Sequence, residues 1–151
     1  MKILIVDDEA PARDRLIHMV SSIDSMEASG QASNGLEAVR MVQDSHPDVV
    51  LMDIRMPGMD GLEAARHLSE MDEPPAIIFT TAYSEHALET YDANAVDYLV
   101  KPIRQEKLEK SLAKARKLTK AQIAALNIET NNTGRSHICA RICGNLELIP
   151  V

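Results

Sequence analysis

The hydrophobic positions of the chain fall into short runs that alternate with stretches of helical periodicity. Four apolar runs have the length of buried strands: Ile3 to Val6, Val49 to Met52, Ala76 to Thr80 and Tyr98 to Val100. A weaker stretch, Glu27 to Ala32, lies where a further strand is needed. Apolar runs of this kind are typical of parallel strands covered on both faces. The pattern predicts five strands.

Between these runs, apolar residues recur at helical spacing, so that each segment has one face suited to covering a sheet. The predicted faces consist of Ala12, Leu16, Met19, Val20 and Ile23, then Leu36, Val39 and Val42, then Leu62, Ala65 and Leu68, and finally Leu108, Leu112 and Ala115. The last helix is expected from about Gln105 to Leu118. Such alternation predicts a doubly wound α/β fold with its ligand crevice at the carboxyl ends of the strands.

Two helix starts carry capping signals. Asn34 is followed three residues later by Glu37, and Asp60 by Glu63, as in capping boxes that satisfy free amide groups. Ser84 is expected to cap a further helix.

The pattern changes near residue 119. The turn-rich sequence Asn131-Asn132-Thr133-Gly134 indicates a linker. Two short strands, Ser136 to Cys143 and Leu146 to Ile149, then flank Gly144-Asn145, a loop of hairpin type. We therefore expect a domain at 1–118, a linker at 119–134 and the start of a second unit at 135–151.

Length and composition favour one compact domain with an appendage. The chain has 151 residues, of which 45% are hydrophobic. No apolar run approaches the length of a membrane span or of a signal-peptide core. The two cysteines, Cys139 and Cys143, are both near the end and cannot form a disulfide framework for the body. We expect a soluble, cytoplasmic protein without a membrane partner.

Charge is distributed unevenly along the chain. Residues 1–103 carry 7 Lys and Arg against 19 Asp and Glu, whereas residues 104–151 carry 9 against 4. The acidic body should repel nucleic acid.

Polar residues stand at the ends of four predicted strands. Asp7 and Asp8 follow the first, Asp53 the third, Thr81 the fourth and Lys101 the fifth. Because parallel strands end at one edge of a sheet, these side chains should converge. Carboxylates 4 Å apart repel by about 1 kcal/mol in water and about 4 kcal/mol at an effective dielectric of 20. A cation must offset this repulsion, and hard oxygen ligands without His or Cys favour Mg²⁺.

With Mg²⁺ bound, the Asp53 carboxylate could attack phosphorus and form an acyl phosphate. Lys101 and the Thr81 hydroxyl would then bind phosphoryl oxygens. Taken singly, these residues have plainer interpretations. The Asp7-Asp8-Glu9 run also suits a helix start, Asp53 a loop before a turn, and Lys101-Pro102 a solvated lysine before a turn proline. Only their joint placement at strand ends is specific.

Four segments resemble the receiver domains of bacterial response regulators over about residues 1–118. They are Ile3-Leu4-Ile5-Val6-Asp7-Asp8-Glu9, Asp53-Ile54-Arg55-Met56-Pro57-Gly58-Met59-Asp60-Gly61, Thr81-Ala82, and Asp97-Tyr98-Leu99-Val100-Lys101-Pro102. The resemblance implies a flavodoxin-like sheet of order 2-1-3-4-5, a fold that the CheY receiver also has.

The resemblance also implies roles for individual residues. Asp53 would be the phosphoacceptor for a sensor histidine kinase. Mg²⁺ would be held by Asp8, Asp53 and the Arg55 carbonyl oxygen, and by Asp7 through water. Thr81 and Tyr98 would act as switch residues, although Tyr98 alone could be an ordinary half-buried strand residue.

Three further features follow from the same resemblance. The Lys101-Pro102 bond would be cis. Bulky Arg55 and Tyr83 resemble positions that govern attack of water on the acyl phosphate, which predicts a long-lived phosphorylated state. A homodimer through the helix after Ser84, the fifth strand and the last helix is an arrangement that the family allows.

The tail, from Arg135-Ser136-His137-Ile138 to Leu146-Glu147-Leu148-Ile149-Pro150, resembles the opening hairpin of a LytTR-type DNA-binding domain. Since the sequence stops before such a fold is complete, we expect DNA to be bound through a missing C-terminal part and not through these residues. Three other functions stay open: a metal-dependent phosphohydrolase, a free-standing phosphotransfer or docking module, and a regulator that works without phosphorylation.

Overall fold

The computed structural model describes residues 1–82 and 95–131, with side-chain surroundings up to residue 118. The chain divides into two units, Met1–Lys117 and Leu118–Val151. The first unit carries the sheet and the candidate site. Ser84, Tyr83 and the predicted hairpin lie outside the described residues.

The strands and helices of the described residues follow one another in the order that the hydrophobic pattern predicts. The elements are β1 (Lys2–Val6), α1 (Ala10–Ser21), β2 (Glu27–Ala32), α2 (Gly35–Ser45), β3 (Val49–Asp53), α3 (Gly61–Ser69), β4 (Ala76–Thr81), β5 (Asp97–Val100) and α4 (Gln105–Asn131). The sheet has the order β2-β1-β3-β4-β5. All neighbouring strands are parallel. The predicted fold class and strand order are therefore confirmed, including the weak strand β2.

Each central strand is buried on both faces because alternate side chains enter two separate cores. One core packs strand residues such as Leu4 and Phe79 against the inner faces of α2 and α3. The other packs strand residues such as Ile5 against α1 and the start of α4, where Leu108 and Leu112 are fully buried. Two helical layers thus hold the strands in register and fix where each one ends.

Both predicted capping boxes are present in part. The Asn34 side chain accepts a hydrogen bond from the Glu37 amide at 2.8 Å, and Asp60 accepts one from the Glu63 amide at 2.8 Å. In the first box, the Glu37 carboxylate accepts from the Ser33 amide at 2.6 Å, one residue before the cap. These bonds set the starting points of α2 and α3, which both begin beside the candidate site.

Two expectations from periodicity are wrong. Leu36 is not on the buried face of α2, since half of it is exposed; Val42 is buried there as predicted, together with Ala38. In addition, the last helix does not end near Leu118 but continues to Asn131. The added stretch has lost its amphipathic pattern, yet it is rich in alanine and contains no Gly or Pro, so nothing in it stops a helix. Within the described ranges, no helix is long and apolar enough to cross a membrane.

Candidate functional site

The register of the sheet brings four strand ends to one edge. Val6 of β1 pairs with Met52, so Asp7 and Asp53 follow at the same level. Asp53 pairs with Thr80 of β4, and Thr81 pairs with Val100 of β5, directly before Lys101. Residues distant in sequence therefore meet where the parallel strands end, as expected for an open α/β sheet.

Three carboxylates form the centre of this edge. One oxygen atom from each of Asp7, Asp8 and Asp53 lies within 4.8 Å of the other two. Asp7 is fully buried, Asp53 is nearly so, and Asp8 is exposed. The cluster thus faces solvent through Asp8 and is closed on its protein side.

Lys101 lies between the two buried carboxylates. Its Nζ atom is 2.9 Å from Asp7 Oδ2 and 3.4 Å from Asp53 Oδ2. The other oxygen of each acid accepts a backbone amide: Asp7 Oδ1 from Glu9 at 2.9 Å, and Asp53 Oδ1 from Arg55 at 3.3 Å. Each carboxylate is consequently oriented from both sides, by its own loop and by the lysine.

Burial and charge set the protonation equilibria of two of these groups. Burial raises the pKa of Asp53, and the neighbouring Asp7 adds to that rise, while Lys101 and the Arg55 amide oppose it without cancelling it. Burial by itself would lower the pKa of Lys101, but the hydrogen bond to Asp7 and the charges of both acids raise it overall. The lysine therefore stays positive at neutral pH, and an additional positive charge would stabilise ionised Asp53.

Two glycines shape the loop that follows Asp53. A Cβ atom on Gly61 would lie 2.2 Å from the Asp53 carbonyl oxygen, and the Gly61 amide donates to the Ile54 carbonyl oxygen at 2.8 Å. Gly58 has a φ of +76°, which residues with side chains rarely adopt. The start of α3 is thus packed directly onto the backbone of the phosphoacceptor candidate.

The donor set fits a divalent cation of the Mg²⁺ type. It consists of clustered carboxylate oxygens, one of them exposed, without a nearby thiol or imidazole among the described residues. Mg²⁺ prefers such sites, in which few protein ligands leave room for water and phosphate oxygens. Asp7, Asp8 and Asp53 are the side chains that could hold it.

The remaining predicted residues lie on the strands and loops that lead to this cluster. Thr81 is buried at the end of β4, and its carbonyl oxygen accepts the Lys101 amide at 2.7 Å. Tyr98 is half-buried and stacks on Phe79 with ring centroids 5.7 Å apart. Arg55 is exposed in the loop after Asp53. The Lys101-Pro102 bond is cis.

Sequence reasoning missed Arg13. Its side chain donates from one guanidinium nitrogen to the Asp7 carbonyl oxygen at 2.7 Å and from Nε to Gln31 Oε1 at 2.9 Å. No motif identifies this contact, because the acceptor on Asp7 is a backbone atom. Only the position of Arg13 five residues after Asp8, one turn into a helix, could have suggested that it faces the loop.

Comparison with known proteins gives a consistent picture. Residues 3–113 match the family model of the response regulator receiver domain. The chain is 48% identical over 155 aligned positions to the positive alginate biosynthesis regulatory protein of Pseudomonas aeruginosa, covering all of this chain and 62% of that protein. It is 37% identical over 123 positions to the sensory transduction protein LytT of Bacillus cereus, covering 82% and 50% respectively. The chain thus spans about half to three fifths of these relatives.

Solved structures agree with this match. The response regulatory domain of mrkE from Klebsiella pneumoniae superposes with a TM-score of 0.70 at 31% identity, covering 80% of this chain and 99% of that one. A chain of the CheX–CheY–BeF₃–Mg²⁺ complex from Borrelia burgdorferi superposes with a TM-score of 0.62 at 25% identity, covering 74% of this chain and 86% of that one.

Proposed function

Since the chain belongs to the response regulator receiver domain family, we propose that it is a Mg²⁺-dependent phosphorylation switch in which Asp53 accepts a phosphoryl group from a sensor histidine kinase. The observation that carries this proposal is the meeting of three carboxylates and one lysine at a single sheet edge. The BeF₃ and Mg²⁺ of the Borrelia complex support the assignment by analogy.

Asp53 is suited to the nucleophilic step. One of its oxygens is held by the Arg55 amide, which leaves the oxygen beside Lys101 to attack phosphorus. As the new O–P bond forms, the P–N bond of the phosphohistidine breaks, and its electron pair stays on the imidazole nitrogen, which then takes up a proton. The product is an aspartyl phosphate.

Asp7, Asp8, Asp53 and the carbonyl oxygen of Arg55 would hold Mg²⁺. When bound, the ion supplies positive charge that reduces the repulsion between the carboxylate and the incoming phosphoryl oxygens. The raised pKa of Asp53 supports this requirement, because burial and the neighbouring Asp7 make the ionised carboxylate less stable in the site than in water.

Lys101, Thr81 and Tyr98 would convert the modification into a conformational change. Lys101 already contacts Asp53, so its ammonium can pair with a phosphoryl oxygen. The Thr81 hydroxyl would donate to another oxygen, and Tyr98 would follow by turning inward. The surface around β5 would then present the signal.

The output is proposed to be transcriptional. Both relatives cited above are longer than this chain, and one is named as a regulator of alginate biosynthesis. We assign residues 1–118 to the receiver domain, 119–134 to a linker and 135–151 to the start of a LytTR-type DNA-binding domain. DNA would be bound by the complete C-terminal domain, and phosphorylation would favour a homodimer.

Incubation with acetyl phosphate tests the phosphoacceptor. We expect the intact mass of the chain to rise by one phosphoryl group in the presence of Mg²⁺ and not in EDTA. Asp53→Asn should abolish this gain, whereas the exposed-acid control Asp72→Asn should retain it. Full labelling of Asp53→Asn, or labelling that is insensitive to EDTA, would contradict the proposal.

A further inference from the structure

The loop between β1 and α1 supplies two of the three carboxylates but is held by few side chains. Asp7 is fixed through its amide, which donates to the Ala32 carbonyl oxygen at 3.1 Å, and through both carboxylate oxygens. Asp8 differs, because its carboxylate has no hydrogen-bond partner among the described residues and is exposed. The direction of the Asp8 carboxylate therefore depends on the conformation of the backbone at Asp8.

Arg13 holds that backbone. The guanidinium NH1 atom donates to the Asp7 carbonyl oxygen at 2.7 Å, which belongs to the peptide group joining Asp7 to Asp8. Fixing this oxygen fixes the plane of the peptide, and with it the direction in which the Asp8 Cα atom leaves the strand. The contact thus acts on Asp8 without touching its carboxylate.

Arg13 is itself anchored at two places. Its amide donates to the Glu9 carbonyl oxygen at 3.1 Å in the first turn of α1, and its Nε atom donates to Gln31 Oε1 on β2 at 2.9 Å. A planar guanidinium that donates in two directions is more rigid than an ammonium group. The side chain therefore ties the loop to both the helix and the neighbouring strand.

We propose that Arg13 is a positioning residue for the divalent cation, one that preorganises Asp8 by clamping the Asp7–Asp8 peptide. The proposal rests on the proposed function, since it assumes that the acidic cluster binds Mg²⁺. An arginine near a cation site has two opposing effects. Its positive charge disfavours the cation, whereas its hydrogen bond lowers the entropy cost of ordering Asp8.

These two effects predict changes of opposite sign in the Kd for Mg²⁺ when Arg13 is substituted. If Arg13 acted through its charge alone, Arg13→Met would strengthen Mg²⁺ binding. If it positions Asp8, the same change should weaken binding by about tenfold, the lower end of what loss of an outer support of a metal ligand costs. The sign of the change thus separates positioning from simple electrostatics.

Magnesium binding can be measured from the rise in melting temperature of the purified chain across a MgCl₂ titration, with EDTA as the starting point. We expect the Kd to increase about tenfold in Arg13→Met and to recover in part in Arg13→Lys, which keeps a donor. Arg40→Met removes an exposed arginine of α2 and should leave the Kd unchanged.

An unchanged or tighter Kd in Arg13→Met would overturn the inference. Should that variant fail to fold, Arg13→Lys and Gln31→Ala carry the test, and an unchanged Kd in both would overturn it as well. Failure of the proposed function gives a different result, because the parent chain would then show no Mg²⁺-dependent rise in melting temperature.

Discussion

Neutralising Asp53 should stabilise the fold in the absence of Mg²⁺. At an effective dielectric of 20, the Lys101–Asp53 pair at 3.4 Å attracts by about 5 kcal/mol, while each neighbouring carboxylate, at no more than 4.8 Å, repels by at least about 3.5 kcal/mol. Solvent screens the repulsion between Asp8 and Asp53, because Asp8 is exposed. Attraction and repulsion therefore nearly cancel, and relief of the burial cost leaves Asp53→Asn more stable by about 1 kcal/mol.

The pH dependence of this effect follows from the direction of the pKa shift. The folded-state pKa of Asp53 is raised above its ordinary value of 3.8, mainly by burial, so folding favours the protonated acid. The corresponding stability is present below pH 3.8 and is lost as the pH rises through the folded-state pKa. At neutral pH the parent chain has lost this contribution to stability, whereas the asparagine variant keeps it because its side chain is always uncharged. The advantage of the variant should therefore disappear on acidification.

Urea unfolding in EDTA at pH 7, followed by circular dichroism, measures the difference, with Asp72→Asn as the exposed-acid control. Adding Mg²⁺ should reverse the order, because the parent gains binding energy that the variant lacks. If Asp53→Asn were less stable than the parent in EDTA while Asp72→Asn was unchanged, the electrostatic reasoning would be refuted.

Further substitutions test the supports of the site. Lys101→Met should lower the free energy of unfolding in EDTA by about 2 kcal/mol, since it removes charge-assisted hydrogen bonds to Asp7 and Asp53. Lys110→Met, which replaces an exposed lysine, should change the free energy of unfolding little. Equal effects of the two changes in urea titrations would contradict a stabilising role of the Lys101 ion pairs. Gly61→Ala should lower the free energy of unfolding by about 3 kcal/mol, because its added methyl group would overpack the site. Gly58→Ala should lower it by about 1 kcal/mol, because Gly58 has a positive φ although its added methyl group meets open space. Thermal melts that give the reverse order would contradict the close packing of α3 on the Asp53 backbone. Asn34→Ala should cost about 1 kcal/mol by removing the cap of α2, and a melting temperature equal to that of the parent would show that the cap contributes nothing.

The sequence was sufficient to predict which residues gather at the sheet edge. Asp7, Asp53 and Lys101 follow apolar runs directly, and parallel strands that are buried on both faces must end together. The Arg13 contact could not be predicted in this way, because it depends on the rotation of α1 about its axis and on a backbone acceptor. Periodicity also failed at Leu36, since the spacing of apolar residues does not show which side of a first helical turn faces solvent.

The continuation of α4 beyond Leu118 has a related explanation. Amphipathic pattern reports burial, whereas helix formation depends on the intrinsic preferences of the residues, and in this stretch the two diverge. The loss of an apolar face was therefore no evidence for the end of the helix.

The contact between Lys101 and Asp7 joins residues 94 positions apart in the chain. A ribosome releasing this protein therefore exposes the acids long before their lysine emerges, and the nascent segment must close a large loop before the charges are balanced. The ammonium group of Lys101 reaches Asp7 and Asp53 only when β5 has docked against β4. A chain that lacks β5 therefore keeps the three acids without the lysine that lies between two of them.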